Sequence, residues 1–129
     1  MLKKTITICI ALLVCTVCFF GCSKEDEKTA VVGKSFTYDG QGFGGDFTIE
    51  INEDGTFQYY EGFLSSYFGQ GRWEIEGGRI ILIEENGIET TNTFMIKENS
   101  LIWIETESSN FMYVELKNGA SFSCNPEKE

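Results

Sequence analysis

Gly71-Arg72-Trp73-Glu74-Ile75-Glu76-Gly77-Gly78-Arg79-Ile80-Ile81-Leu82 decides the fold of this chain. Trp73 and Ile75 alternate with Arg72, Glu74 and Glu76, so an extended backbone places the apolar side chains on one face and the charged ones on the other. That is the pattern of an antiparallel strand with one dry and one wet face. Gly77-Gly78 then supplies two residues that tolerate positive φ, as a tight hairpin requires, and the run from Arg79 is a second strand.

Working outward, the same grammar repeats. Phe47, Ile49 and Ile51 alternate with Asp46, Thr48, Glu50 and Asn52, while Asp54-Gly55, Asn86-Gly87 and Asn118-Gly119 punctuate further hairpins. Lys97-Glu98-Asn99 and Glu107-Ser108-Ser109-Asn110 read as two more turns. The spacing predicts strands over 34–39, 46–52, 56–60, 67–76, 79–85, 89–97, 100–105, 111–116 and 120–124. Helical periodicity is nowhere sustained, and no gap admits a crossover helix. An all-β domain follows: an up-and-down antiparallel meander of eight or nine strands. Its edges must be hidden, either by closing into a small barrel or half-barrel or by packing two sheets together. The single proline, Pro126, lies outside every expected strand.

The N-terminus has a different character. Met1-Leu2-Lys3-Lys4 is followed by mostly apolar residues from Thr5 to Phe20, then small Gly21, Cys22 and the charged run Ser23-Lys24-Glu25-Asp26-Glu27-Lys28. A positive end, an apolar core and a small residue at the cut make residues 1–21 a signal peptide. Phe19-Phe20-Gly21-Cys22 resembles the lipobox of bacterial lipoproteins, which implies a diacylated cysteine at position 22 and a domain held at a membrane surface outside the cytoplasm. Lys24-Glu25-Asp26 resembles the short signal that sends some lipoproteins to the outer face of the outer membrane. Residues 22–32 read as an acidic flexible tether, 33–124 as the folded domain and 125–129 as a C-terminal tail.

Gly33-Lys34-Ser35-Phe36, the Asp54-Gly55-Thr56-Phe57 hairpin and the Gly71 to Leu82 hairpin together resemble the small lipocalin-like domains of bacterial lipoproteins over roughly residues 33–116. Lipocalins commonly open on Gly-x-Trp, whereas Gly33-Lys34-Ser35 stands here. The resemblance therefore implies a fold and carries no ligand-contacting residue to a numbered position.

Composition narrows the chemistry. Two of the ten basic residues lie in the signal peptide, leaving eight against 20 acidic ones and a mature net charge of −12. That balance argues against nucleic acid as a partner. Without histidine the commonest general base and metal ligand near neutral pH is missing, and no cofactor or metal is implied. Cys124 is the one cysteine left after Cys22 is acylated, so the mature domain has no internal disulfide. Gly40-Gln41-Gly42-Phe43-Gly44-Gly45 precedes a strand rather than a helix and lacks the geometry of a phosphate cradle. The acids at Glu84-Glu85 and Asn52-Glu53-Asp54 read as solvated strand faces and turn tips. Trp73, Trp103 and the Phe57/Tyr59 and Leu101/Trp103 pairs read as barrel filling.

One stretch breaks the hairpin rhythm: Tyr60-Glu61-Gly62-Phe63-Leu64-Ser65-Ser66-Tyr67-Phe68-Gly69-Gln70-Gly71. Its aromatics either fold over one barrel end as a plug or form a partner surface. Phe43, Phe63, Tyr67 and Phe68 are accordingly the candidate partner or ligand residues, with no catalytic residue among them. The expected role is a non-catalytic envelope lipoprotein that binds an envelope or extracellular protein, a glycan or a small apolar ligand. The alternatives are a structural or stress-related envelope lipoprotein and, third, a hydrolase using acidic residues.

Overall fold

The computed structural model describes residues 24–40, 46–62, 67–86, 88–112 and 114–126. Eight strands run in chain order: β1 (Lys34–Tyr38), β2 (Thr48–Ile51), β3 (Thr56–Tyr60), β4 (Phe68–Glu76), β5 (Arg79–Asn86), β6 (Ile88–Lys97), β7 (Ser100–Trp103) and β8 (Ser121–Cys124). Each pairs antiparallel with its neighbours, and β1 pairs with β8 through Phe36↔Cys124, Thr37↔Ser123 and Tyr38↔Phe122. The sheet is a closed barrel in which each strand has a neighbour on both sides.

The period-two pattern dictates what fills it. Phe36, Ile49, Ile51, Phe57, Tyr59, Ile80, Leu82, Phe94, Leu101, Trp103 and Phe122 all point inward and are buried. Rings meet edge to face as their quadrupoles prefer: Phe122 lies 5.1 Å from Phe47 and 5.5 Å from Phe94, with interplanar angles of 89° and 86°. The Trp103 indole N–H donates to Asn92 Oδ1 at 3.1 Å, which satisfies the buried polar end of that ring. Trp73 is only partly buried and donates to the carbonyl of Asn52 at 3.0 Å. Both expected inward pairs are present, with Phe57 and Tyr59 stacked at 6.3 Å and Leu101 and Trp103 both buried.

Two expectations give way. Residues 24–31, read as part of a flexible tether, form a helix, α1 (Lys24–Val31). Glu25, Asp26 and Glu27 occupy its first turn, where negative charge complements the helix dipole. Gly33 at φ 74° ends the segment, and its N–H passes the chain to the carbonyl of Ile51 at 2.7 Å. An eight-residue helix is not stable alone. This one is held by Val31, fully buried in the barrel core with Ala30 and Val32 packed beside it. Val31→Asp is expected to undock the helix and cost about 2 kcal/mol, the worth of one buried valine side chain. Amide exchange at Val32 and urea unfolding measure it; unchanged protection and stability would show that α1 contributes nothing to the barrel.

The expected strand over 111–116 is the second correction. The ring closes through β1 and β8 without it, and the first half of β6, which β7 does not pair, receives backbone bonds from the stretch before this segment, Ile104 N–H to Thr93 at 3.0 Å and Ser109 N–H to Thr91 at 2.7 Å. The segment instead belongs to the long β7–β8 connection, which begins with a 3₁₀ turn at Glu105–Glu107. It places Phe111, Val114 and Leu116 in the core. Phe111 meets Phe47 at 4.9 Å and Tyr59 at 5.0 Å, both edge to face. This connection thus helps fill that end of the barrel; residues 63–66, the centre of the loop expected to act as a plug, lie outside the described residues. Cys124 is a free, half-buried thiol packed against the core.

The two barrel ends differ. The turns at 52–55, 77–78 and 98–99 share one end with α1, whose Glu27 lies beside Gly78. The β3–β4, β5–β6 and β7–β8 connections share the other.

Candidate mouth cleft

Tyr59 begins the site, because its ring does something unusual for a strand residue. It points inward from β3 opposite Gly69 on β4, and its hydroxyl reaches across that strand to β5, donating to Glu84 Oε2 at 2.7 Å. Adjacent strands lie about 4.8 Å apart, so the ring has to lie across β4 to make this bond. Gly69 permits it: a Cβ there would stand 2.0 Å from Tyr59 Cε1. Gly71, the next inward position of β4, is likewise without a side chain where it pairs with Glu84.

Glu84 occupies the inward phase of β5 after Ile80 and Leu82, and is only 8% exposed. Four neutral donors surround its carboxyl group. Tyr59 and Thr90 donate to Oε2, the latter at 3.5 Å, while Tyr67 and Asn86 donate to Oε1, Asn86 at 3.0 Å. Asn86 also donates to the Tyr67 hydroxyl at 3.0 Å. Burial, and next the hydrogen bond to Glu84, push the Tyr59 phenol far above its ordinary value. The same two causes raise Tyr67. Both phenols therefore stay protonated and donate. A second carboxyl group, that of Glu61, is 1% exposed, accepts the Val114 N–H at 3.0 Å, and acts on Tyr59 electrostatically from the same side.

Tyr59, Tyr67, Glu84, Asn86 and Thr90 form one wall of a cleft of about 350 Å³ at the barrel mouth, lined also by Ile88, Asn110 and Met112. Ile88 is 81% and Met112 65% exposed, an apolar rim around a polar floor. A larger groove, about 660 Å³, runs outside β1 and β2 past Ser35, Glu50 and Glu53, but it lies toward the α1 end on the outer face of the sheet. The mouth cleft has features of a small-molecule site: a concavity with an apolar rim and a few converging polar groups.

Of the expected site residues, Tyr67 falls in the cleft. Phe68 does not; it projects from the outer wall, 45% exposed, with its ring 5.9 Å from that of Tyr60. Phe43, Phe63 and Cys22 lie outside the described residues. Tyr59, Glu84, Asn86, Ile88, Thr90, Asn110 and Met112 are the members that residue-by-residue reading missed. Glu84 is correspondingly no solvated strand-face acid, unlike its neighbour Glu85, which is exposed and pairs with Arg72 outside the barrel.

The barrel agrees with a comparison against family models, in which a lipocalin-like domain matches residues 23–103. The chain belongs to the lipocalin-like domain family. Comparison with curated proteins and with solved structures finds no match. The lipocalin-like match spans α1 and β1–β7, and so includes Tyr59, Tyr67, Glu84, Asn86 and Thr90, while Asn110 and Met112 stand beyond it. A lipocalin-like domain suggests a ligand-binding and non-catalytic role.

Proposed function

We propose that this lipocalin-like domain is a bacterial envelope lipoprotein, anchored outside the cytoplasm through acylated Cys22, whose barrel mouth binds a small ligand with an apolar part. The observation that carries the binding role is the mouth cleft, with its apolar Ile88 and Met112 rim over a hydrogen-bonded polar floor. The anchor rests on the signal-peptide pattern and the lipobox-like Phe19-Phe20-Gly21-Cys22.

The placement of α1 fits both halves of this reading. Cys22 precedes the helix by two residues, which span at most about 7 Å. An anchor there holds the α1 end of the barrel toward the bilayer and leaves the mouth facing away from it. The acidic first turn of α1 gives no electrostatic grip on anionic lipid, so attachment depends on the acyl chains.

Expression of the full chain in a bacterial host with an alkyne-tagged palmitate tests the anchor. Wild type is expected to incorporate label and sediment with membranes, and Cys22→Ser to lose the label. Equal labelling of both chains would sink the lipoprotein reading. For the binding role, saturable binding of a small organic ligand to the membrane-reconstituted chain, weakened by Ile88→Lys at the rim, is the expected result.

A further inference from the structure

The charge of the mouth cleft names a ligand class, an inference that rests on the binding role proposed above. Glu84 is buried and hydrogen-bonded on both oxygens, yet every donor around it is neutral: two phenols, an amide and a hydroxyl. Neutral donors stabilise a carboxylate without cancelling its charge, and a buried charge is costly until an opposite one approaches. Among the described residues lining the cleft, none is Lys or Arg. The nearby Arg72 projects from the outer face of β4 and pairs there with Glu85. Glu61 adds a second acidic group beside Tyr59, in a chain whose net charge is already −10.

We propose that the mouth cleft takes a small organic cation, an amine or guanidine bearing a compact apolar group, with Glu84 as its counter-ion. The cation pairs with the Glu84 carboxylate and gains from the Tyr67 ring, whose face attracts positive charge. The apolar group lies against Ile88 and Met112. The negative field of the whole chain raises the local concentration of cations and repels carboxylates. A cleft of about 350 Å³ limits the ligand to a small molecule.

The test uses the full chain in phosphatidylcholine nanodiscs, titrated calorimetrically with 2-phenylethylamine, 2-phenylethanol and 3-phenylpropionate, with empty nanodiscs subtracted. The amine is expected to bind saturably and about tenfold more tightly than the alcohol, the worth of one charge-assisted hydrogen bond. Glu84→Gln keeps the side-chain size but not the charge and is expected to remove that tenfold preference of amine over alcohol. Ile88→Lys sits on an 81% exposed side chain, so it leaves the fold intact, and it is expected to weaken the amine several-fold and not the carboxylate. If the alcohol or the carboxylate binds as tightly as the amine, or both variants bind amine as wild type does, the cation assignment is overturned and the mouth remains a binding site. Saturable binding of none of the three overturns the cation assignment and the binding role together.

Discussion

Gly71→Ala is expected to destabilise the barrel by about 3 kcal/mol or more, at the upper end of what overpacking costs. Gly71 sits in the middle of β4, paired with Phe57 on one side and Glu84 on the other. A methyl group there would stand 2.0 Å from the carbonyl oxygen of Ile83 and 2.9 Å from its carbon. Those are backbone atoms of β5, fixed by the β4–β5 ladder, and no rotamer change moves them aside. The two strands must separate locally, losing hydrogen bonds next to the Glu84 cluster. For a domain of this size the loss corresponds to a fall in Tm of roughly 12–24 °C. Gly77→Ala is the control: a Cβ there meets nothing within 4 Å, and only the positive φ of 57° opposes it, at about 1 kcal/mol. Equal melting temperatures for Gly71→Ala and wild type would show that β4 and β5 part without cost. Gly69→Ala collides with the Tyr59 ring instead, a side chain that can swing away, so it should spoil the cleft before the fold.

Phe122→Ala should cost about 3–5 kcal/mol, as truncation of a fully buried phenylalanine does. Phe122 is the middle of an aromatic group, 5.3 Å from Tyr38, 5.1 Å from Phe47 and 5.5 Å from Phe94. It is also the one fully buried side chain of β8, the short strand that joins the meander to its own beginning. Removing the ring leaves a cavity that three neighbours cannot fill and loosens the pairing of Tyr38 with Phe122. Urea unfolding gives the magnitude, and amide exchange at Thr37 and Ser123 shows whether closure is lost with it. A change below about 1 kcal/mol would mean that β8 is held by backbone bonds alone.

The strands were legible because alternation and glycine turns are local. Thr56–Tyr60 matches the expected bounds, and Phe68–Glu76 and Ile88–Lys97 differ from them by a single residue. The errors arose where a distant partner decides. Lys24–Val31 has one short apolar end, Ala30-Val31-Val32, too little for helical periodicity to register, and the barrel core supplies the rest. Residues 111–116 have strand composition, but the ring closes through β1 and β8 without them and their apolar side chains go into the core instead. Part of the cleft was visible in principle. Ile80, Leu82 and Glu84 share one phase of β5, so a carboxyl group on the inner face follows from alternation alone. That Tyr59 crosses Gly69 to meet it depends on the β3–β4–β5 register, which local sequence does not carry.

The seam between β1 and β8 has a kinetic meaning as well. Its paired residues are more than 80 positions apart in the chain, and joining ends so distant costs about 4 kcal/mol in loop entropy before the seam returns any contact. Every other strand pair forms between sequence neighbours, so the meander can grow as hairpins while its first and last strands remain unpaired. During that interval both outer edges expose free backbone donors and acceptors, and a second chain can offer the same partner strand. The finished barrel has closed this seam; the chain on its way there leaves both sides of it open. Four residues, Ser121–Cys124, determine how long that exposure lasts.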